Sequence, residues 1–182
     1  TRKRCTVQLM EFYQAFRTKK ISTNTWLKET GKLVEKLVAL DENDIAARLF
    51  QAQLLITEDS YNEAGWILDH VSELLERGAG NDTLYAYYLY LTTLIHREEQ
   101  YVNRVAGEVE HIYRKNNTDW RVAWLLLYLS EEYHKSVSGK WVFLEKQFTI
   151  GCTSPILYIE AVALLNSNPA LLRRLGDFEM QV

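Results

Sequence analysis

The sequence predicts an all-α protein, arranged as a right-handed α-solenoid of about five antiparallel helix hairpins. Apolar residues recur every three to four positions through most of the 182 residues, which is the spacing of amphipathic helices. Only 2 prolines and 8 glycines occur, which leaves little material for β-turns. Capping residues near positions 44, 82, 119 and 154 stand about 35 to 38 residues apart, a period typical of stacked helix hairpins.

Five helix hairpins are expected along the chain. Their approximate bounds are residues 4–40, 44–78, 82–116, 119–150 and 154–178. A single hairpin cannot bury its own apolar face, so neighbouring hairpins are expected to stack and share a continuous core. We therefore expect residues 1–182 to form a single helical-repeat domain, which is part of a longer polypeptide.

Polar side chains that cap free backbone N–H groups mark the expected helix starts. In chain order these are Ser22-Thr23-Asn24, Asp44, Asp59 with Ser60, Asn81 with Asp82, and Asp119. Ser154-Pro155 and Asn168-Pro169 each place proline at the first helical position, where its missing N–H is not needed. Segments 84–95 and 120–129 are apolar nearly all round, as expected of helices with neighbours on several sides.

The run ARLFQAQLLITEDSYNEAGWILDHVSELL, residues 47–75, is similar to a tetratricopeptide repeat unit. Ala52 matches the small position where the two helices of a unit cross, and Ala64 matches the start of the second helix. The resemblance implies closely crossed helix pairs that stack on one another. Later hairpins keep the period and lose the consensus, with Leu89 and Leu126 at the small position, so wider helix spacing is expected there.

A second resemblance covers most of the chain. The runs DWRVAWLLLYLSEEY, GCTSPILYIEA and NSNPALLRRLGDFE resemble the helical-repeat region of a large uncharacterised family of clostridial-type bacterial proteins. This resemblance implies a bacterial source and a much longer parent chain. It implies no activity.

No catalytic, cofactor or metal site is expected. The 4 histidines are dispersed, and neither H-E-x-x-H nor a glycine-rich nucleotide-binding motif occurs. Cys5 and Cys152 have no metal-like spacing and are expected to be buried thiols, which suits a cytoplasmic location. The longest apolar runs, 84–91 and 122–129, are too short for the roughly 20 residues of a membrane span. We therefore expect a non-enzymatic protein without cofactor or membrane span.

Aromatic residues indicate a binding surface. The chain has 11 tyrosines and 5 tryptophans, and four tyrosines within residues 85–90 are too many to face one core. First helices line the concave groove of a helix-hairpin solenoid, where partners bind. The candidate partner-binding residues are Arg48, Tyr87, Tyr90, Trp120, Arg121 and Trp124. The expected function is a protein-protein interaction scaffold that binds another protein, a peptide or another domain of the same chain.

Charge distribution leaves two other functions open. Residues 1–40 carry nine Lys/Arg and three Glu, a net +6, although the whole chain has a net charge of −3. A nucleic-acid-associated regulatory domain would use this basic first hairpin. Alternatively the basic residues form a solvated surface, and we expect this more than nucleic-acid binding. The stack is also compatible with a spacer that only positions other domains.

Overall fold

The computed structural model describes residues 2–17, 19–116 and 119–132, and all regular structure in these ranges is helical. The predicted all-α class is therefore confirmed for this part of the chain. The seven helices are α1 (Arg2–Arg17), α2 (Thr23–Leu40), α3 (Ile45–Thr57), α4 (Tyr61–Glu76), α5 (Asp82–Ile95), α6 (Glu99–Lys115) and α7 (Trp120–Glu132). The helices predicted after residue 132, including the whole hairpin 154–178, lie outside the described residues.

Side-chain caps open four of these helices at positions that the sequence predicts, and at α7 the Asp119 carboxylate accepts a hydrogen bond from the backbone N–H of Arg121 at 3.0 Å. The Ser22 hydroxyl accepts a hydrogen bond from the backbone N–H of Thr25 at 3.2 Å. Asp44 accepts one from Ala47 at 3.2 Å, and the Asn81 side chain accepts one from Leu84 at 3.0 Å. Each cap satisfies an N–H group that has no partner within the helix itself.

The cap predicted at the start of α4 is wrong. Ser60 occupies the N-cap position, but its side chain makes no capping hydrogen bond. Asp59 lies in the left-handed region with φ 59°, and its carboxylate accepts a hydrogen bond from the Tyr61 hydroxyl at 2.9 Å. The carboxylate is thus used by a side chain of the new helix, and the helix starts from a tight turn without a side-chain cap.

Packing follows the order of the helices along the chain. Each helix contacts the next, and in addition α3 contacts α5 and α5 contacts α7. One apolar cluster joins α1, α2 and α3, and a second joins α3 through α7. Helix α3 belongs to both, because Ala47 and Leu54 face the first cluster while Leu49 and Ala52 face the second.

Helix α5 is the most enclosed element among the described residues. It contacts α3, α4, α6 and α7, and its residues Ala86, Leu91 and Thr93 have no exposed surface. These four neighbours explain why segment 84–95 is apolar nearly all round, since a helix with only one covered face would carry a polar stripe.

Candidate partner-binding surface

A row of aromatic side chains runs across α3, α5 and α7. Phe50 on α3 meets Tyr87 on α5 edge to face, with ring centroids 6.2 Å apart. Tyr90 on α5 also meets Tyr128 on α7 edge to face, with ring centroids 6.1 Å apart. The ring centroids of Tyr128 and Trp124 lie 4.8 Å apart. We call these five residues the aromatic row. Edge-to-face and tilted contacts of this kind contribute beyond the apolar area that they bury.

Regular spacing of the helices brings these rings together. Helices α3, α5 and α7 begin at residues 45, 82 and 120, so 37 and then 38 residues separate their starts. Phe50 and Tyr87 occupy equivalent positions, each the sixth residue of its helix. Tyr90 and Tyr128 are likewise each the ninth residue of their helices. The contacts of α3 with α5 and of α5 with α7 are therefore made through equivalent positions.

Tyr87 is held firmly in the row. Its side chain is half-buried, and its hydroxyl donates a hydrogen bond to the side-chain oxygen of Gln53 on α3. Burial, together with the neighbouring Tyr90, raises the pKa of the Tyr87 phenol. The phenol therefore stays protonated at neutral pH and remains a hydrogen-bond donor.

The side chains of the aromatic row differ in how much of their surface is exposed. Phe50 is 36% exposed, and it was not among the candidates chosen from the sequence. Tyr90 is only 6% exposed and belongs to the core, so it supports the row from below. Trp124 is half-buried, and its indole nitrogen is buried without a hydrogen-bond partner among the described residues. Phe50 is therefore the most exposed side chain of the row, and Tyr87, Trp124 and Tyr128 are half-buried.

Two other candidates occupy the start of α7. Trp120 begins the helix, and its side chain lies outside the described residues. Arg121 is exposed but binds its own neighbour, because its Nε and Nη2 donate to the two oxygens of Asp119 at 2.9 and 3.0 Å. Asp119 thus takes two of the five N–H donors of Arg121 and neutralises its charge, which leaves three donors for a partner.

Asp119 also joins the starts of α5 and α7. It accepts a hydrogen bond from the Thr83 hydroxyl at 2.5 Å and one from the backbone N–H of Arg121 at 3.0 Å. Burial alone would raise the pKa of this carboxyl, but the hydrogen bonds from Arg121 and Thr83 outweigh burial and lower it. Asp119 is consequently ionised at neutral pH and links the starts of α5 and α7.

Arg48 does not share the face of the aromatic row. Two positions separate it from Phe50, which is a rotation of about 200° around an α-helix. Arg48 instead lines a cavity of about 310 Å³ together with Trp66 and His70 of α4. The groove expected around Arg48, Tyr87 and Trp124 is thus divided between two different surfaces of α3.

Neither a metal cluster nor a membrane span is found in the part of the chain that the structure describes. In these residues, no three His, Cys, Asp or Glu side chains are grouped so that they could hold a metal ion. None of the seven described helices combines the length and the apolar character needed to cross a bilayer.

The described residues thus define an all-α protein whose helices pack in chain order and present aromatic side chains along one face of alternate helices. Over residues 1–182 the sequence matches the model of a family of unknown function (DUF5717), N-terminal. The chain belongs to that family. Comparison with curated proteins and with solved structures gives no match.

Proposed function

We propose that this chain is a non-catalytic scaffold that binds a segment of another protein along the aromatic row. The observation that carries the proposal is the run of ring contacts across three first helices, with Phe50 36% exposed at one end. Aromatic side chains are the usual anchors of protein interfaces, because they bury a large area at low cost in conformational entropy.

The proposed architecture is a right-handed solenoid of antiparallel, tetratricopeptide-like helix hairpins. Contacts of α3 with α5 and of α5 with α7 support it, because first helices of successive hairpins are neighbours in such a stack. Helices α4 and α6 begin 38 residues apart, at 61 and 99, so the second helices keep the same period. In this arrangement the aromatic row lies along the groove formed by the first helices.

Binding would depend on a small number of contacts. Phe50 would contact an apolar side chain of the partner, and the Tyr87 ring, which meets Phe50 edge to face, would form one side of the contact surface. The hydrogen bond from Tyr87 to Gln53 holds the Tyr87 ring in place before the partner binds, which lowers the conformational entropy lost on binding. Tyr90 would contribute as the buried floor.

The test places a photo-crosslinking amino acid at Phe50 in the full-length parent protein, and at Leu40 as a control. Leu40 is an exposed apolar residue at the end of α2 and takes no part in the ring contacts of the aromatic row. Peptides crosslinked at position 50 are identified, synthesised and titrated against the unmodified protein. Phe50→Ala should weaken their binding at least about tenfold, the loss typical of an interface anchor, and Leu40→Ala should not.

Two results would refute this function. Equal crosslinking at positions 50 and 40 would show that the row has no preference for a partner. Crosslinks from position 50 that reach only other parts of the same polypeptide would favour the spacer function, in which the row is an internal docking surface.

Nucleic-acid binding through the basic first hairpin is the second candidate function. Lys3 and Arg4 at the start of α1 are exposed and make no ion pair with a described carboxylate, whereas Arg2 pairs with Asp44 at 2.5 Å. Binding through such residues would weaken steeply as salt rises, because phosphate contacts release condensed counterions. Electrophoretic shift of a labelled duplex at increasing salt tests this directly, and the absence of any shift at low salt would exclude it.

A further inference from the structure

A cavity lies on a different side of α3 from the aromatic row. It is formed by the turn between α2 and α3, the first turns of α3 and one face of α4, with a volume of about 310 Å³. We call it the Arg48 cavity. Its lining residues are Glu42, Asn43, Arg48, Trp66, Ile67 and His70.

Arg48 is held in a fixed position but has no anionic partner. Its Nε donates to the backbone carbonyl of Glu42 at 2.9 Å, and its Nη1 donates to the Gln51 side chain at 3.1 Å. It makes no ion pair with any carboxylate of the described residues. A guanidinium has five N–H donors, so three remain available for a ligand.

Comparison with the other arginines makes this state unusual. Among the arginines whose side chains the structure describes, Arg48 alone is half-buried. Arg77, Arg114 and Arg121 are more exposed, yet each pairs with a carboxylate at 2.8 to 3.4 Å. Charged groups removed from water are normally paired, because their burial is otherwise unfavourable. Other exposed arginines also lack a carboxylate partner, so it is the combination of half-burial and no ion pair that sets Arg48 apart.

Trp66 supplies the apolar half of the same cavity. Its side chain is 71% exposed, the largest value for any large apolar residue that the structure describes. Ile67 and His70 stand beside it on α4 and extend the surface toward Arg48. The cavity is thus lined by a tryptophan and an unpaired arginine, two of the residue types that most often dominate binding energy at interfaces.

We propose that the Arg48 cavity binds an acidic peptide segment in which an Asp or Glu is adjacent to a large apolar residue. The carboxylate accepts the remaining donors of Arg48, and the apolar side chain covers the indole of Trp66. The planar fork of the guanidinium matches a carboxylate in two-point geometry. Charge complementarity with Arg48 selects this occupant over a neutral or basic segment.

Glu42 sets a limit on this charge complementarity. Its carboxylate also lines the cavity and would repel an acidic ligand, although only its backbone carbonyl binds Arg48. Removing this charge should therefore strengthen binding. The proposal thus makes opposite predictions for Arg48→Gln and Glu42→Gln, which a general effect on folding would not produce.

The experiment uses an array of fluorescent hexapeptides with amidated C-termini. Each carries one Asp flanked by a different large apolar residue, beside an otherwise identical peptide with Asn. A third set carries Asn and a free C-terminal carboxylate, which separates a side-chain carboxylate from a terminal one. Peptides preferred by the whole chain are then titrated by fluorescence anisotropy against the wild type and variants whose helical circular dichroism is unchanged.

The expected result is a preference for Asp over Asn peptides that depends on Arg48. Arg48→Gln should weaken binding about tenfold, the loss typical of a charge-assisted hydrogen bond in a half-buried site. Trp66→Ala should weaken it similarly, and Glu42→Gln should strengthen it. Arg77→Gln removes an exposed arginine that already pairs with Glu73, and it serves as the matched control without effect.

Three outcomes would overturn the proposal. These are equal binding of Asp and Asn peptides across the array, an Asp preference that survives Arg48→Gln, and a preference confined to the free C-terminal carboxylate. None of them bears on the aromatic row, because Phe50 and Tyr87 do not line this cavity. A failure here is therefore distinguishable from a failure of the proposed scaffold function.

Discussion

The hydrogen bond between Thr83 and Asp119 offers the sharpest test of coupling between α5 and α7. Thr83 lies in the first turn of α5, and Asp119 precedes α7, so the bond joins two helices whose starts are 38 residues apart. We expect Asp119→Ala and Thr83→Val each to destabilise the fold. We also expect the double variant to lose less than the sum of the two, because both changes remove the same bond.

The expected magnitudes follow from what each change removes. Thr83→Val removes one hydrogen bond to the buried Asp119 carboxylate, which keeps its bonds to Arg121. The free energy of unfolding should fall by about 1–2 kcal/mol. Asp119→Ala also removes the helix cap, worth about 1 kcal/mol, and an ion pair with exposed Arg121 worth less than about 1 kcal/mol. The total for Asp119→Ala is about 2–4 kcal/mol, and the coupling between the two changes is about 1 kcal/mol.

Urea unfolding followed by circular dichroism at neutral pH gives the four free energies of unfolding. Thr57→Val is the matched control, because the Thr57 hydroxyl donates only to the Gln53 carbonyl of its own helix at 2.8 Å. The control should change stability by less than about 0.5 kcal/mol. A coupling below about 0.3 kcal/mol would show that the Thr83–Asp119 bond does not join the helices in solution.

The remaining predictions concern pH, the core and one turn. Hydrogen bonds lower the pKa of Asp119 in the fold, so its charge stabilises the folded state at pH values above the unfolded pKa of about 3.9. The free energy of unfolding should therefore exceed that of Asp119→Asn at neutral pH, and this difference should shrink as pH falls below about 3.9. Leu91→Ala should cost about 2–5 kcal/mol because Leu91 is 0% exposed, whereas exposed Leu40→Ala should cost less than about 0.5 kcal/mol in the same urea assay. Gly80→Ala should lower the melting temperature, since Gly80 has φ +92° and a Cβ there would lie 3.0 Å from a methyl of Leu75. An unchanged melting temperature would contradict the turn geometry.

The helices could be predicted from the sequence because their signals are local. Apolar spacing and a capping side chain act within a single turn, and Ser22, Asp44 and Asn81 all make the hydrogen bonds that their positions predict. Ser60 fails for an equally local reason, since the backbone turns at Asp59 and no capping bond forms. The order and approximate starts of the described helices could therefore be predicted from the sequence, whereas the missing side-chain cap of α4 could not.

The binding surface was harder to predict because exposure depends on neighbours far along the chain. Tyr90 carries the same side chain as Tyr87, but its position on α5 turns it into the core beside Tyr128 of α7. Phe50 lies in an apolar helix and was not among the candidates, and its 36% exposure becomes visible only when α3 is packed against α5. Residue type alone ranks these side chains equally, whereas tertiary packing separates them.

Arg48 shows how the rotation of a helix could have corrected the sequence analysis. Both Arg48 and Phe50 belong to a first helix, and membership of that helix was the reason for placing Arg48 in the groove with Tyr87. About 100° of rotation per residue puts Arg48 and Phe50 about 200° apart, so one surface cannot hold both. The same argument would not have revealed Trp66, because its place beside Arg48 depends on how α4 packs against α3. Helical geometry thus separates the two surfaces of α3, and tertiary contacts decide what each surface can bind.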